Sequence, residues 1–232
     1  MSRAWAATHA GTIRPINQDA MLCRPELGLF AVADGVGGHG DGEAASQAVV
    51  DALAALPGHA SPEDRLKAIR VTLKQVHGRL LETGATTVVV LLLHENHYAC
   101  LWVGDSRCYL LRESRLLCLT TDHSVVQELV SAGGMTEAEA EMDPRRNMIT
   151  RAIGAGRQAP VVDKVIGSLM AKDRFLLCSD GLYKTVKVGA LIEGLPLQAN
   201  PAALLVEAAL SGGARDNVTA VIVDHSARHG LS

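Results

Sequence analysis

Three apolar runs of this 232-residue chain end on an aspartate: Leu29-Phe-Ala-Val-Ala-Asp34, Leu101-Trp-Val-Gly-Asp105 and Phe175-Leu-Leu-Cys-Ser-Asp180. Gly35, Ser106 and Gly181 follow them, Asp216 stands just before the last apolar run, and Asp19 precedes the first. Asp-Gly after a strand is also an ordinary turn signal, so any one of these reads equally as turn chemistry. Five together, at strand ends gathered along one sheet edge, would bring several carboxylates into one place. Carboxylates that close do not all stay ionised unless a cation holds them. Oxygen-only donors select Mg2+ or Mn2+ rather than zinc. Several such groups suit a two-metal centre, which makes hydroxide at neutral pH and clamps a phosphoryl oxygen. Gly35 would let its carbonyl approach a metal with no Cβ in the way. Arg14, five residues before Asp19, offers a guanidinium fork for phosphate, or is a surface arginine.

The elements that would position these groups are legible in outline. Residues 27–33 read as a buried strand and 41–56 as an Ala-rich helix stopped by Pro57-Gly58. Ser61-Pro62 has the form of an N-cap followed by proline at the first helical position, opening a helix to about Glu82. Residues 85–93 are rich in β-branched side chains and read as a central strand, returning through the turn 94–97 into 98–103. A hairpin joins 108–112 to 116–119 around Glu113-Ser114-Arg115. Short helices are expected over 122–132 and 136–142, a strand over 174–178, a helix over 201–210 and a last strand over 218–224. Regular βαβ alternation is missing, which points to α+β layers rather than a doubly wound sheet. No repeat or linker divides the chain, so residues 1–232 read as one domain.

Composition narrows the function classes. With 48% hydrophobic and 20% charged residues the chain is of soluble globular type, and a formal charge of −3 makes no case for nucleic acid or an anionic membrane as partner. The N-terminus lacks the apolar segment of a signal peptide, and no apolar run reaches membrane-spanning length. The five cysteines form no C-x-x-C pair and stand among apolar residues, as reduced core residues of a cytosolic protein do. None is followed by arginine at the Cys-x5-Arg spacing, which excludes cysteine-dependent phosphatase chemistry. Gly35-Val-Gly37-Gly38-His39-Gly40 matches G-x-G-x-x-G, so a dinucleotide-binding oxidoreductase is a rival. Against it, Asp34 would repel a pyrophosphate, and a second helix follows the first with no strand closing a βαβ unit. His94 and His97 read as a hairpin tip rather than a metal pair.

Taken in order, RPINQD (14–19), ADGVGGHGDGEAAS (33–46), GATTVVV (84–90), VGDSRCYLLR (103–112), LTTDHSVV (119–126), ITRAIG (149–154), LLCSDGLY (176–183) and ARDNVTAVIV (214–223) resemble the metal-dependent Ser/Thr protein phosphatases of type 2C, in their short bacterial form. The resemblance implies a sandwich of two antiparallel sheets flanked by helices on both sides, with two Mn2+ or Mg2+ ions at one sheet edge. It implies that Asp34 bridges the metals, that the Gly35 carbonyl ligates one, and that Asp180 and Asp216 complete the first site. Asp105 would belong to a third, weaker metal site, Asp19 would orient the attacking water, and Arg14 would bind the substrate phosphate. Residues 124–160 would form a mobile flap that shapes substrate choice. The implied reaction is hydrolysis of phosphoserine or phosphothreonine on proteins without a covalent intermediate, by a cytoplasmic monomer opposing a Ser/Thr kinase, sometimes one that controls a secretion system. A regulator without turnover would have lost metal aspartates, and this chain keeps Asp34, Asp180 and Asp216. Two positions depart from the family pattern. Gln18 stands where some relatives carry Glu, and Val36 stands where animal and plant members place a histidine proposed as general acid, the nearest imidazole here being His39.

Overall fold

The longest strands read as unbroken apolar runs because both of their faces are buried. In the computed structural model, which describes residues 2–37, 41–58, 61–81, 83–197 and 199–225, β3 (Leu29–Val36) turns Leu29, Ala31 and Ala33 to one side and Phe30 and Val32 to the other. The first set packs under α1 (Asp41–Ala54) and α2 (Pro62–Leu80), against Val49, Leu53, Ile69 and Leu73. The second set meets Phe175, Leu177, Val221 and Val223 of an opposing sheet. Alternation between two apolar environments leaves no polar face to reveal the period.

One sheet has the order β2 (Asp19–Arg24), β3, β5 (Val88–His94), β6 (His97–Val103), β9 (Asp163–Ser168), with the short β4 (Ala85–Thr86) also on β3. The other runs β1 (Arg3–His9), β11 (Val218–His225), β10 (Asp173–Cys178), β7 (Arg107–Arg112), β8 (Arg115–Cys118). All named strand pairings are antiparallel. The outer face of the second sheet carries α5 (Asp180–Tyr183), α6 (Val188–Ile192) and α7 (Pro201–Ser211), through Leu182, Ile192, Leu205 and Val206. The result is helices, sheet, sheet, helices, the expected α+β sandwich. An antiparallel sheet around β3 removes the dinucleotide-binding rival. His39 lies outside the described residues.

Several expectations are corrected. Asp34 and Gly35 lie within β3, which continues past Ala33 because β4 pairs with Gly35 and Val36. The strand expected over 85–93 is broken at Thr87. Glu113 and Ser114 both take positive φ, 49° and 60°, so β7 and β8 are joined by a two-residue turn and Arg115 belongs to the strand. The expected helices over 122–132 and 136–142 shorten to α3 (Val125–Ser131) and α4 (Glu137–Met142), capped by Ser124 and Thr136. All five cysteines are free, but Cys118 is exposed rather than in the core.

Gly35 has a reason of its own. A Cβ there would stand 2.3 Å from the Gly42 carbonyl oxygen and 2.7 Å from that of Gln18. Both are backbone atoms, so neither yields without moving α1 or the chain before β2. Gly35→Ala is expected to cost about 3 kcal/mol by overpacking. Urea denaturation showing wild-type stability would overturn that assignment.

Candidate active site

Asp19 and Asp34 are paired across β2 and β3 at the end of the first sheet. From there Asp19 reaches the second sheet, where its Oδ2 accepts from Ser179 Oγ at 2.7 Å and from Thr219 Oγ1 at 2.6 Å. Thr219 Oγ1 in turn lies 2.7 Å from Thr8 Oγ1. Asp19 Oδ1 is buried and has no hydrogen-bond partner among the described residues. Burial is the main reason its carboxyl is pushed up to about 7; the two hydroxyls oppose the shift, and Asp180 and Asp216 add to it.

Asp34 is held by its backbone. Its N–H donates to Thr87 Oγ1 at 3.2 Å, and its carbonyl accepts from Thr87 N at 2.8 Å and Thr86 Oγ1 at 2.9 Å. Those threonines sit at the break between β4 and β5, so the break serves to fix Asp34. Burial, then the charges of Asp19, Asp180, Asp105 and Asp216, raise the Asp34 carboxyl well above the usual range. One half-buried carboxyl thus feels all four of the other acids.

Asp105 lies in the turn between β6 and β7, where Tyr183 Oη donates to its carbonyl at 3.0 Å. Burial and Asp180 push it up to about 6, against the pull of Lys184. Asp105 and Arg107 stand two residues apart but do not pair. Arg107 forks onto Asp122 at 2.9 and 2.8 Å and stacks 3.8 Å above the Tyr183 ring. Asp180 opens α5 rather than ending a strand, and accepts from Lys184 Nζ at 2.7 Å. Asp216 accepts both arms of the Arg14 fork, Nε and Nη2, each at 2.9 Å. Burial opposes ionisation of Asp216, but Arg14 and the Asn217 N–H outweigh it and hold the carboxyl below the usual range. Asn217 anchors the 10–18 loop: its Oδ1 accepts from Gln18 N at 2.8 Å, and its Nδ2 donates to the carbonyls of Ala10 and Ile16 at 2.9 and 3.0 Å.

All five acids expected to act together are therefore brought to one edge of the sandwich, with Arg14 among them. Among the described residues no three His, Cys, Asp or Glu side chains form a ready-made cation cage; Arg14 is paired with Asp216, and Lys184 lies between Asp105 and Asp180. The donor set nonetheless fits hard divalent cations. It is all oxygen, it includes a partnerless buried carboxylate oxygen on Asp19, and Asp34 carries a cost of ionisation that a cation would remove. Ser179, Thr219, Thr86, Thr87 and Lys184 were not foreseen as part of the site. Thr219, fully buried inside an apolar strand, was the available signal, because a buried hydroxyl needs a partner.

Beside Asp180 and Asp216 lies a groove of about 840 Å3, lined among others by Glu137, Glu141, Arg146, Lys184 and Arg215. In the loop after α4, Arg145 is closed onto Asp143 by a fork of 2.9 Å contacts, and Arg146 lines the groove.

The chain is 36% identical over 230 residues to the serine/threonine protein phosphatase PstP of Mycobacterium tuberculosis, covering 94% of this chain and 44% of that protein. It thus spans less than half of that curated relative. Among solved structures, the PstP catalytic domain in complex with two manganese ions superposes with a TM-score of 0.82 at 35% identity, over 97% of this chain and 99% of that one. PppA, a regulatory component of the type VI secretion system in Pseudomonas aeruginosa, superposes with a TM-score of 0.86 at 36% identity, over 97% and 98%. The sequence profile described as protein phosphatase 2C matches residues 14–204, and the chain belongs to that family.

Proposed function

We propose that this chain is a metal-dependent phosphoprotein phosphatase that hydrolyses phosphoserine and phosphothreonine monoesters. The observation that carries the reading is the convergence of Asp19, Asp34, Asp105, Asp180 and Asp216, drawn from separate segments, at one edge of the sandwich. Asp34, the Gly35 carbonyl, Asp180 and Asp216 would hold two Mn2+ or Mg2+ ions, the number bound in the PstP structure. When bound, such ions supply the Lewis acidity that yields a nucleophile from water at neutral pH and neutralises a phosphoryl oxygen. Asp19, fixed by Ser179 and Thr219 with one oxygen left over, orients the attacking water and accepts a hydrogen bond from it. Arg14, whose fork fits a tetrahedral oxyanion as well as it fits Asp216, binds the substrate phosphate. Residues 124–160, carrying α3 and α4, form the flap over the groove and choose among protein substrates. The natural substrates are phosphoproteins, with a cognate Ser/Thr kinase acting in opposition; the likeness to PppA, a regulatory component of a secretion system, supports a regulatory role. No helix among the described residues is long and apolar enough to cross a membrane, and the reading is of a cytoplasmic monomer.

The test is phosphate release from a phosphothreonine peptide with Mn2+, with Mg2+ and with chelator. Turnover that survives chelation, or a folded protein that releases no phosphate with either ion, would count against the reading. The groove makes a separate prediction. Arg146→Ala is expected to raise KM for an acidic phosphopeptide about fivefold, the worth of roughly 1 kcal/mol in an exposed ion pair, and to leave a small aryl phosphate unchanged. Arg145→Ala, whose guanidinium is already committed to Asp143, is expected to change KM for neither substrate. Equal losses on both substrates would remove Arg146 from peptide recognition.

A further inference from the structure

Lys184 stands where the acids crowd most closely. Its Nζ donates to Asp180 Oδ2 at 2.7 Å and to Asn147 Oδ1 at 3.0 Å, and lies 3.5 Å from Asp105 Oδ2. These oxygens come from three separate segments: the start of α5, the loop after α4, and the turn between β6 and β7. The lysine is placed by helix geometry, four residues after Asp180, so the two side chains meet on one face of α5. Tyr183 borders it, its ring centroid 5.8 Å from Nζ and its hydroxyl fixed on the Asp105 carbonyl. An ammonium has three donors and no acceptor, and here three oxygen acceptors surround it. Asp105 has no other cationic partner among the described residues, since Arg107 is turned to Asp122.

We infer that Lys184 takes the place of a third metal ion: its ammonium neutralises Asp105 and engages only Oδ2 of Asp180, which leaves Asp180 Oδ1 for the centre that loads two ions. The same cation ties the flap to the acid cluster through Asn147, so flap position and cluster charge are set by one side chain. This rests on the metal-centre reading above. A divalent ion at Asp105 would have to expel the ammonium and break its links to Asp180 and Asn147. Without the lysine, Asp105 and Asp180 would be like charges with nothing between them, which is the condition that recruits a cation.

The experiment counts ions. Metal-free protein is titrated with Mn2+ by calorimetry, and crystals grown in millimolar Mn2+ are read by anomalous scattering. Wild type is expected to hold two ions and none on Asp105. Lys184→Gln is expected to hold three, the extra one on Asp105, and Lys184→Gln with Asp105→Asn is expected to return to two. Near-UV circular dichroism confirms that each variant is folded, and Lys184→Met, which keeps the stem, repeats the test if the glutamine variant is not. A third ion on wild-type Asp105, or only two on both folded lysine variants, overturns the inference. A wild type that binds no Mn2+ overturns the metal-centre reading itself.

Discussion

Asp34→Asn is expected to lower kcat on a phosphothreonine peptide at least ~100-fold at saturating Mn2+, because the residue that would bridge both ions loses its charge. The same substitution is expected to leave the metal-free protein at least as stable as wild type. The Asp34 backbone hydrogen bonds to Thr86 and Thr87 do not involve the side chain, and the carboxyl it removes is one whose ionisation the fold opposes. Loss of turnover without loss of stability separates a functional acid from a structural one. A folded Asp34→Asn protein with near-normal turnover would sink the assignment.

The second large effect joins pH to metal. Asp19 is moved from 3.8 up to about 7 and Asp105 from 3.8 up to about 6, so between about pH 4 and 7 the folded chain holds more protons there than the unfolded chain. Their contribution to stability therefore falls as pH rises through that window. For Asp19 the fall is at most about 4 kcal/mol. Asp143, held down to about 2 chiefly by Arg145, acts in the opposite sense but below about pH 4. Burial lowers His123 and His77, which gain stability with rising pH near 6.5 and so work against the trend. The decisive comparison is thus between wild type and Asp19→Asn in chelator from pH 5 to 8. Wild type is expected to lose Tm relative to the variant across that range. Mn2+ inverts the behaviour, since it binds ionised carboxylates of the folded chain alone and adds about 4 kcal/mol at a thousand times its Kd. Parallel Tm profiles for the two proteins in chelator would show that Asp19 is not held against ionisation.

What the sequence discloses, and what it hides, follows from how each feature is built. The strands around Phe30, Val90 and Phe175 are legible because burial on both faces leaves continuous apolar runs. β1 and β2 are hidden because Arg3–His9 has three alanines and a single β-branched residue, Thr8, and Asp19–Arg24 has no β-branched residue. β9 is masked by Asp163, Lys164 and Gly167. The acids were visible through their recurrence at the ends of apolar runs. Their partners were not, because Ser179 and Thr219 reach Asp19 across 160 and 200 residues. Lys184 was missed for the same reason: two of its three oxygens belong to distant segments. The pairing of Arg107 is hidden in the same way, since its partner Asp122 lies fifteen residues on while Asp105 is two residues away.

The placement of β11 has a consequence for the order in which the molecule can be made. Its partner β1 is the first strand, with Arg3 opposite Asp224, yet β11 lies between β1 and β10 inside its sheet. During synthesis β1 must therefore wait, unpaired, until almost the whole described chain has emerged. The other sheet and its two helices can assemble from residues before 104 with β9 added later. Thr219 and Asp216 arrive with β11, so the carboxylate cluster is completed in the same event that closes the second sheet. High contact order of this kind slows folding. A nascent or truncated chain is therefore expected to lack the finished site, with metal affinity appearing only once the last strand is in register.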